Sequence, residues 1–282
     1  MPFAPGFREI EPNELVRYLL RVSGQDEQDA VNPVPILDVL GISHLSLNFR
    51  SELPEVVEGT ADCPRALLSF PDRIIATAHD LDEKRARFST FHEIGHYVLP
   101  QHVEELVLCT DTDMSYHAQR QREQEANAFA AHLLFHGDRF QLEANAHAIT
   151  ATTVKVLADR YCASYEATAR QLVEANLRPY MLITYAKAKS DRNIDLSFLP
   201  TWYLQYTVSS PAFAIRYFDT VLDTGDTFVK IALDECTDIG QSITTKLTLA
   251  LLDGGQGRFR AEYFHNFYKV FCLLSPLGEE SA

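Results

Sequence analysis

The sequence predicts an α+β fold in three parts: a helical core with a small sheet, a following helix pair, and a C-terminal mainly-β or α+β domain. Three observations predict it. Proline-free runs at 81–98 and 120–135 carry apolar residues at three- and four-residue spacing, the signature of packed helices. Two shorter helical patterns follow between 150 and 177, separated at Ala163-Ser164. From Tyr180 onward, aromatic and β-branched runs alternate with breaks at Gly225, Gly240 and Gly254-Gly255. The expected boundaries are 1–145, 146–179 and 180–282.

Each element has a local reason. Leu45 to Phe49, Ala66 to Phe70 and Ile74 to Ala76 are short strand-like runs, the last two separated by the turn signal Pro71-Asp72. Lys84, Arg85 and Arg87 favour a helix leading into Phe91, and Phe88, Phe91, Ile94 and Val98 form its apolar stripe before Pro100 ends it. Arg120 to Phe135 is rich in alanine, with Ala126, Phe129, Ala130, Leu133 and Leu134 on one face. Glu123 shares that face, whereas Glu125 points elsewhere, towards solvent. In the helix pair, Ser164 can cap Tyr165 to Asn176. Lys155, Arg160 and Arg170 are balanced there by Asp159, Glu166 and Glu174. A DNA reader presents a basic stripe, so a structural helix pair is the better reading. The C-terminal strands are expected at Tyr180 to Tyr185, Trp202 to Val208, Ala212 to Phe218, Phe228 to Leu233, Ser242 to Leu252 and Arg258 to Leu274. Phe259 to Phe271 can alternatively be read as a helix with an aromatic face.

The chemistry concentrates in Phe91-His92-Glu93-Ile94-Gly95-His96. A helix turns about 100° per residue, so His92 and His96 project from one face and can reach one metal ion. Glu93 lies beside them, placed to take a proton from water rather than to ligate. A random chain with ten histidines shows this pattern on the order of a few per cent of the time, so the surroundings decide. A zinc hydrolase needs a third protein ligand and an open fourth position. Glu123 is the candidate, because a carboxylate on an apolar helix face is costly unless paired or metal-bound. The competing reading makes it an N-terminal acid favoured by the helix dipole.

Arg87-Phe88-Ser89-Thr90-Phe91-His92-Glu93-Ile94-Gly95-His96, followed by Glu123-Gln124-Glu125-Ala126-Asn127-Ala128-Phe129-Ala130, resembles the ImmA/IrrE family of metallopeptidases. Val34 to Ile42 is similar to the short helix that precedes the first strand of these enzymes. The resemblance implies a zincin-like peptidase core, with His92, His96 and Glu123 as zinc ligands and Glu93 as catalytic base. Manganese is also accepted by such a donor set. It further implies a protein substrate, a helix-turn-helix repressor cut in a stress or mobile-element response. Some members carry a GAF-like sensor domain after the core, though no motif here establishes that fold. The chain departs from the family where Leu133-Leu134-Phe135-His136 replaces Leu-Leu-x-Pro, and His132 stands where an acid is common. His132, His136 and His102 are therefore rival ligands. Two further functions fit the same residues: a non-catalytic metal-binding transcriptional regulator, and a toxin neutralised by a helix-turn-helix partner.

Composition narrows the setting. Hydrophobic residues at 46% and charged residues at 23% describe a folded globular chain, long enough at 282 residues for two cores. The N-terminus lacks a signal-peptide pattern, and no apolar run approaches membrane-spanning length. Five scattered cysteines without a Cys-x-x-Cys pair suit a reducing cytoplasm. A formal charge of −14 argues against direct nucleic-acid binding and suits a basic protein partner.

Overall fold

Pro12 opens the first helix, α1 (Pro12–Val22), at a position where its missing N–H costs nothing. The computed structural model describes residues 11–57, 63–99, 102, 106–109, 117–187, 202–217, 241–250, 255–266 and 268–277. These form two compact units. The first takes the described residues up to Arg139 together with Arg160–Ser164, and the second takes Phe140–Asp159 and those from Tyr165 on.

In the first unit, Leu15, Val16, Leu19 and Leu20 make the buried face of α1. Next comes α2 (Pro33–Leu40), begun by Asn32, whose side chain accepts from the Val34 N–H at 3.0 Å, and ended by Gly41 at φ 65°. Then β1 (Ser43–Leu47) runs to Asn48. The strand expected over Leu45 to Phe49 stops two residues early, because Asn48 caps the short α3 (Phe49–Glu52) by accepting from the Ser51 N–H. There follow α4 (Pro54–Val57), β2 (Ala66–Ser69), β3 (Ile74–Ala78), α5 (Glu83–Val98), β4 (Leu106–Cys109) and α6 (His117–Leu134). The sheet order is β1-β3-β2-β4, parallel only between β1 and β3. Leu67 and Ala76 face each other across β2 and β3 and pack on Phe49. Leu68 and Ile75, one residue along, turn to the opposite face and are wholly buried. There α5 packs against β2 and β3, and α6 packs against α5.

The second unit contains most of α7 (Asp138–Ala146) and of α8 (Ala151–Arg160), then α9 (Tyr165–Glu174), β5 (Met181–Lys187), β6 (Trp202–Ser209), α10 (Pro211–Tyr217), β7 (Ser242–Ala250), β8 (Gln256–His265) and β9 (Lys269–Pro276). Its sheet is antiparallel in the order β6-β5-β9-β8-β7. Phe213, Phe259, Val270, Cys272 and Leu274 lie at the centre of its core. Two expectations fail here. Of the strand expected over Ala212 to Phe218, the described part to Tyr217 is helix, since Pro211 opens α10 and the Ser210 hydroxyl accepts from the Phe213 N–H at 3.2 Å. The helix alternative over Phe259 to Phe271 gives way to two strands. Asn266 reverses the chain between them, its side-chain oxygen accepting from the N–H groups of Tyr268 and Lys269. Phe228 to Leu233 lies outside the described residues. Helices with two sheets make the fold α+β.

Candidate metal centre

Asp82 starts α5 by accepting from the Arg85 N–H at 3.1 Å, and the helix then runs inward until every residue from Thr90 to Val98 is buried. Two features lock it in place. Arg87 is buried and its guanidinium donates to the carbonyls of Val31 (2.8 Å), Tyr161 (3.1 Å) and Cys162 (2.7 Å). Gly95 faces α6 so closely that an added Cβ would stand 3.2 Å from the Ala126 backbone and 3.4 Å from Phe129 Cβ. The glycine of the motif is thus a contact point between two helices. His92 meets Asn127 while His96 meets Glu123, so the helices run antiparallel.

That approach brings the donor atoms together. His92 Nε2 and His96 Nε2 are 3.1 Å apart. Glu123 Oε2 lies 3.2 Å from the first and Oε1 3.2 Å from the second. Among the described residues, His92, His96 and Glu123 form a group whose ligand atoms all lie within 4.8 Å of one another. Ligands about 2.0–2.2 Å from a tetrahedral zinc ion stand about 3.3 Å apart, so the spacing fits a shared cation. The donor chemistry agrees. Two ring nitrogens and both oxygens of one carboxylate converge at 3.1–3.2 Å, a nitrogen and oxygen donor set that suits zinc.

Burial favours the neutral form of both rings, and the Glu123 carboxylate opposes it. In His92 the balance comes out raised, because Glu93 and Asn127 add to the pull of Glu123. In His96 it comes out lowered, with the neighbouring His92 and His102 reinforcing burial. Burial works to raise the Glu123 pKa as well, yet the two imidazoles hold its carboxyl well below the usual carboxylate range. Glu93 is completely buried and interacts electrostatically with His92. A carboxylate removed from water needs positive charge close by, which an ion held by its neighbours would provide.

The rival histidines separate clearly. His136 sits beyond α6 at φ 55°, where the Gly137 N–H reaches back to the His132 carbonyl at 2.9 Å. Proline cannot adopt that φ, which explains why the Leu-Leu-x-Pro ending is absent. The His136 ring packs near Tyr161, away from the donor group. His132 is likewise outside that group. His102 is buried beside His96 but turns its ring nitrogens elsewhere, Nδ1 to His96 Nδ1 at 3.1 Å and Nε2 to Glu125 Oε2 at 2.9 Å. Glu125, expected to face solvent, is half-exposed and also holds His102. Asn127 was also missed, and its side-chain oxygen lies 3.1 Å from His92 Nδ1. The available signal was its place one turn after Glu123. Tyr97, next to His96 on α5, stacks on Phe70.

Residues 59–173 match the peptidase M78 family, described as an IrrE N-terminal-like domain. The matched stretch holds the candidate centre and agrees with the resemblance to the ImmA/IrrE metallopeptidases. A solved structure described as a Mycobacterium tuberculosis transcriptional regulator is similar at 15% sequence identity and a TM-score of 0.56, covering 95% of this chain and 88% of its own. At that identity the likeness concerns the fold. No curated protein matches the chain. Among the described residues, no helix is long and apolar enough to cross a membrane.

Proposed function

We propose that this chain is a zinc-dependent metallo-endopeptidase that hydrolyses a peptide bond in a protein substrate. The observation that carries the reading is the convergence of His92, His96 and Glu123 donor atoms at 3.1–3.2 Å, with Glu93 buried beside them. The core is read as zincin-like, with two antiparallel helices supplying the ligands. Zinc bound there supplies Lewis acidity, lowering the pKa of a water molecule and polarising the scissile carbonyl; manganese is the alternative ion. Glu93 accepts the water's proton as the carbonyl is attacked, then delivers it to the departing amine nitrogen. Asn127 holds the His92 ring by accepting from its Nδ1–H, which leaves Nε2 free to ligate. The sheet edges at β1 and β4 offer main-chain groups that can pair with an extended substrate.

The substrate proposed is a helix-turn-helix transcriptional repressor, cut in a stress or mobile-element response in the cytoplasm. The family match supports this, and the formal charge of −14 suits a basic partner. The antiparallel C-terminal sheet is assigned to substrate recognition or sensing. A second reading, a non-catalytic metal-binding regulator, draws on the description of the similar solved structure. Glu93 separates the two. A peptidase should keep its zinc in Glu93→Gln and lose cleavage by about 100- to 10,000-fold, whereas a regulator should be indifferent. His92→Ala should lose metal and cleavage together. Zinc analysis of the purified variants, with cleavage of candidate repressors assayed with and without chelator, checks both. Equal zinc content in His92→Ala and wild type would overturn the assignment.

A further inference from the structure

We propose that His102 and Glu125 form a hydrogen-bonded relay behind His96, a positioning pair outside the His-Glu-x-x-His motif that fixes the ring and tautomer of this ligand. The inference rests on the metal reading above only where it concerns affinity; the relay itself rests on the geometry of four side chains.

His96 Nε2 faces Glu123 and His92, so its Nδ1 is on the far edge of the ring, 3.1 Å from His102 Nδ1. The His102 side chain is sealed from solvent, and its remaining nitrogen is 2.9 Å from Glu125 Oε2. The other Glu125 oxygen accepts from Gln121 Nε2 at 2.8 Å, which holds the carboxylate in place. Proton placement follows along this line. A carboxylate is an acceptor, so His102 Nε2 carries a hydrogen. A neutral His102 then has a lone pair at Nδ1, and the facing His96 Nδ1 must be the donor. With a cation bound among the three candidate ligands, His96 Nε2 would turn its lone pair to the ion while Nδ1 donates to His102.

The two ligand rings are thus held from α6 by different means. His92 reaches Asn127 in one step, whereas His96 reaches Glu125 through an interposed ring. Glu123, Glu125 and Asn127 lie two residues apart in succession, and their side chains leave the helix in different directions. One turn of helix therefore supplies a candidate ligand and the anchors of both histidines. His102, with both nitrogens engaged, is a support for His96 and not a fourth ligand.

The test uses the full-length chain and its variants His102→Ala, Glu125→Ala and Glu125→Gln. Zinc affinity is measured by competition with a chelating dye, and melting of the metal-free proteins reports folding. The His102 tautomer is read by nitrogen-15 NMR of the imidazoles without metal. The alanine variants are expected to bind zinc about 10- to 100-fold more weakly while their metal-free melting is retained. Glu125→Gln, which can still accept from His102 Nε2–H, is expected to recover most of the affinity. In the metal-free wild type, the His102 proton is expected on Nε2, donated to Glu125. Unchanged affinity in Glu125→Ala, or a His102 proton on Nδ1 with Nε2 bare, would overturn the relay. If His102→Ala does not fold, the half-exposed Glu125 pair still decides the matter. Failure of the wild type to bind zinc would overturn the metal reading alone, and the tautomer measurement would then judge the relay.

Discussion

Arg87 shows how much a single side chain of the first helix motif does away from the chemistry. It reaches three carbonyls from two distant stretches of chain, at Val31 and at Tyr161-Cys162. Arg87→Ala strands these acceptors in a buried setting, at a cost of about 1–3 kcal/mol for each acceptor left without a partner. Chemical denaturation should show a clear fall in the midpoint. Arg87→Lys should recover only part, because an ammonium cannot reproduce the planar fork. His92, Glu93 and His96 were legible because one helix contains them, and Glu123 because a buried face made its charge conspicuous. Glu125 was not. A helical wheel knows only its own helix, and the ring that uses Glu125 arrives from His102, outside both helices. Asn127 was hidden for a similar reason: its partner His92 is on another element.

At the level of elements, the site depends on how near α5 comes to α6. Gly95→Ala places a methyl group 3.2 Å from the Ala126 backbone, so the helices must part by a few tenths of an ångström. Overpacking of this kind costs about 1–3 kcal/mol, and it also draws Glu123 back from the two rings. Weaker zinc binding is expected together with a lower melting point, measured by dye competition and by circular dichroism. The elements that escaped sequence reasoning did so for identifiable reasons. α10 was read as a strand because its aromatic composition outweighed Ser210-Pro211, a helix-start signal two residues long. α1 bears a proline start and a clear apolar stripe that received no weight. β4 is four residues long and exists through pairing with β2, a non-local contact with little trace in its own sequence.

For the whole molecule, metal loading and thiol reactivity give independent readings of the two units. Zinc that binds only the folded state stabilises by about 2.7 kcal/mol at a free concentration 100 times its dissociation constant. Chelation should therefore lower the melting point of the wild type and leave that of His92→Ala unmoved, as scanning calorimetry can check. In the second unit, burial pushes the Cys272 thiol up to about 12, with Tyr263 opposing it through a hydrogen bond. At pH 8 only about one thiol in ten thousand is then ionised, and the thiolate is the reactive form. Alkylation followed by peptide mass spectrometry should find Cys272 unmodified in the native chain and labelled after denaturation, while the half-buried Cys63 and Cys162 react before it.

The guanidinium anchored on Tyr161 and Cys162 also bears on how this protein can be cut for study. A fragment ending at 145 would lose two of that group's three acceptors and the Tyr161 ring that packs on Phe135. Trimming to the histidine and glutamate helices would thus produce a poorly folding piece. An expression boundary meant to keep the first unit whole has to lie beyond Ser164.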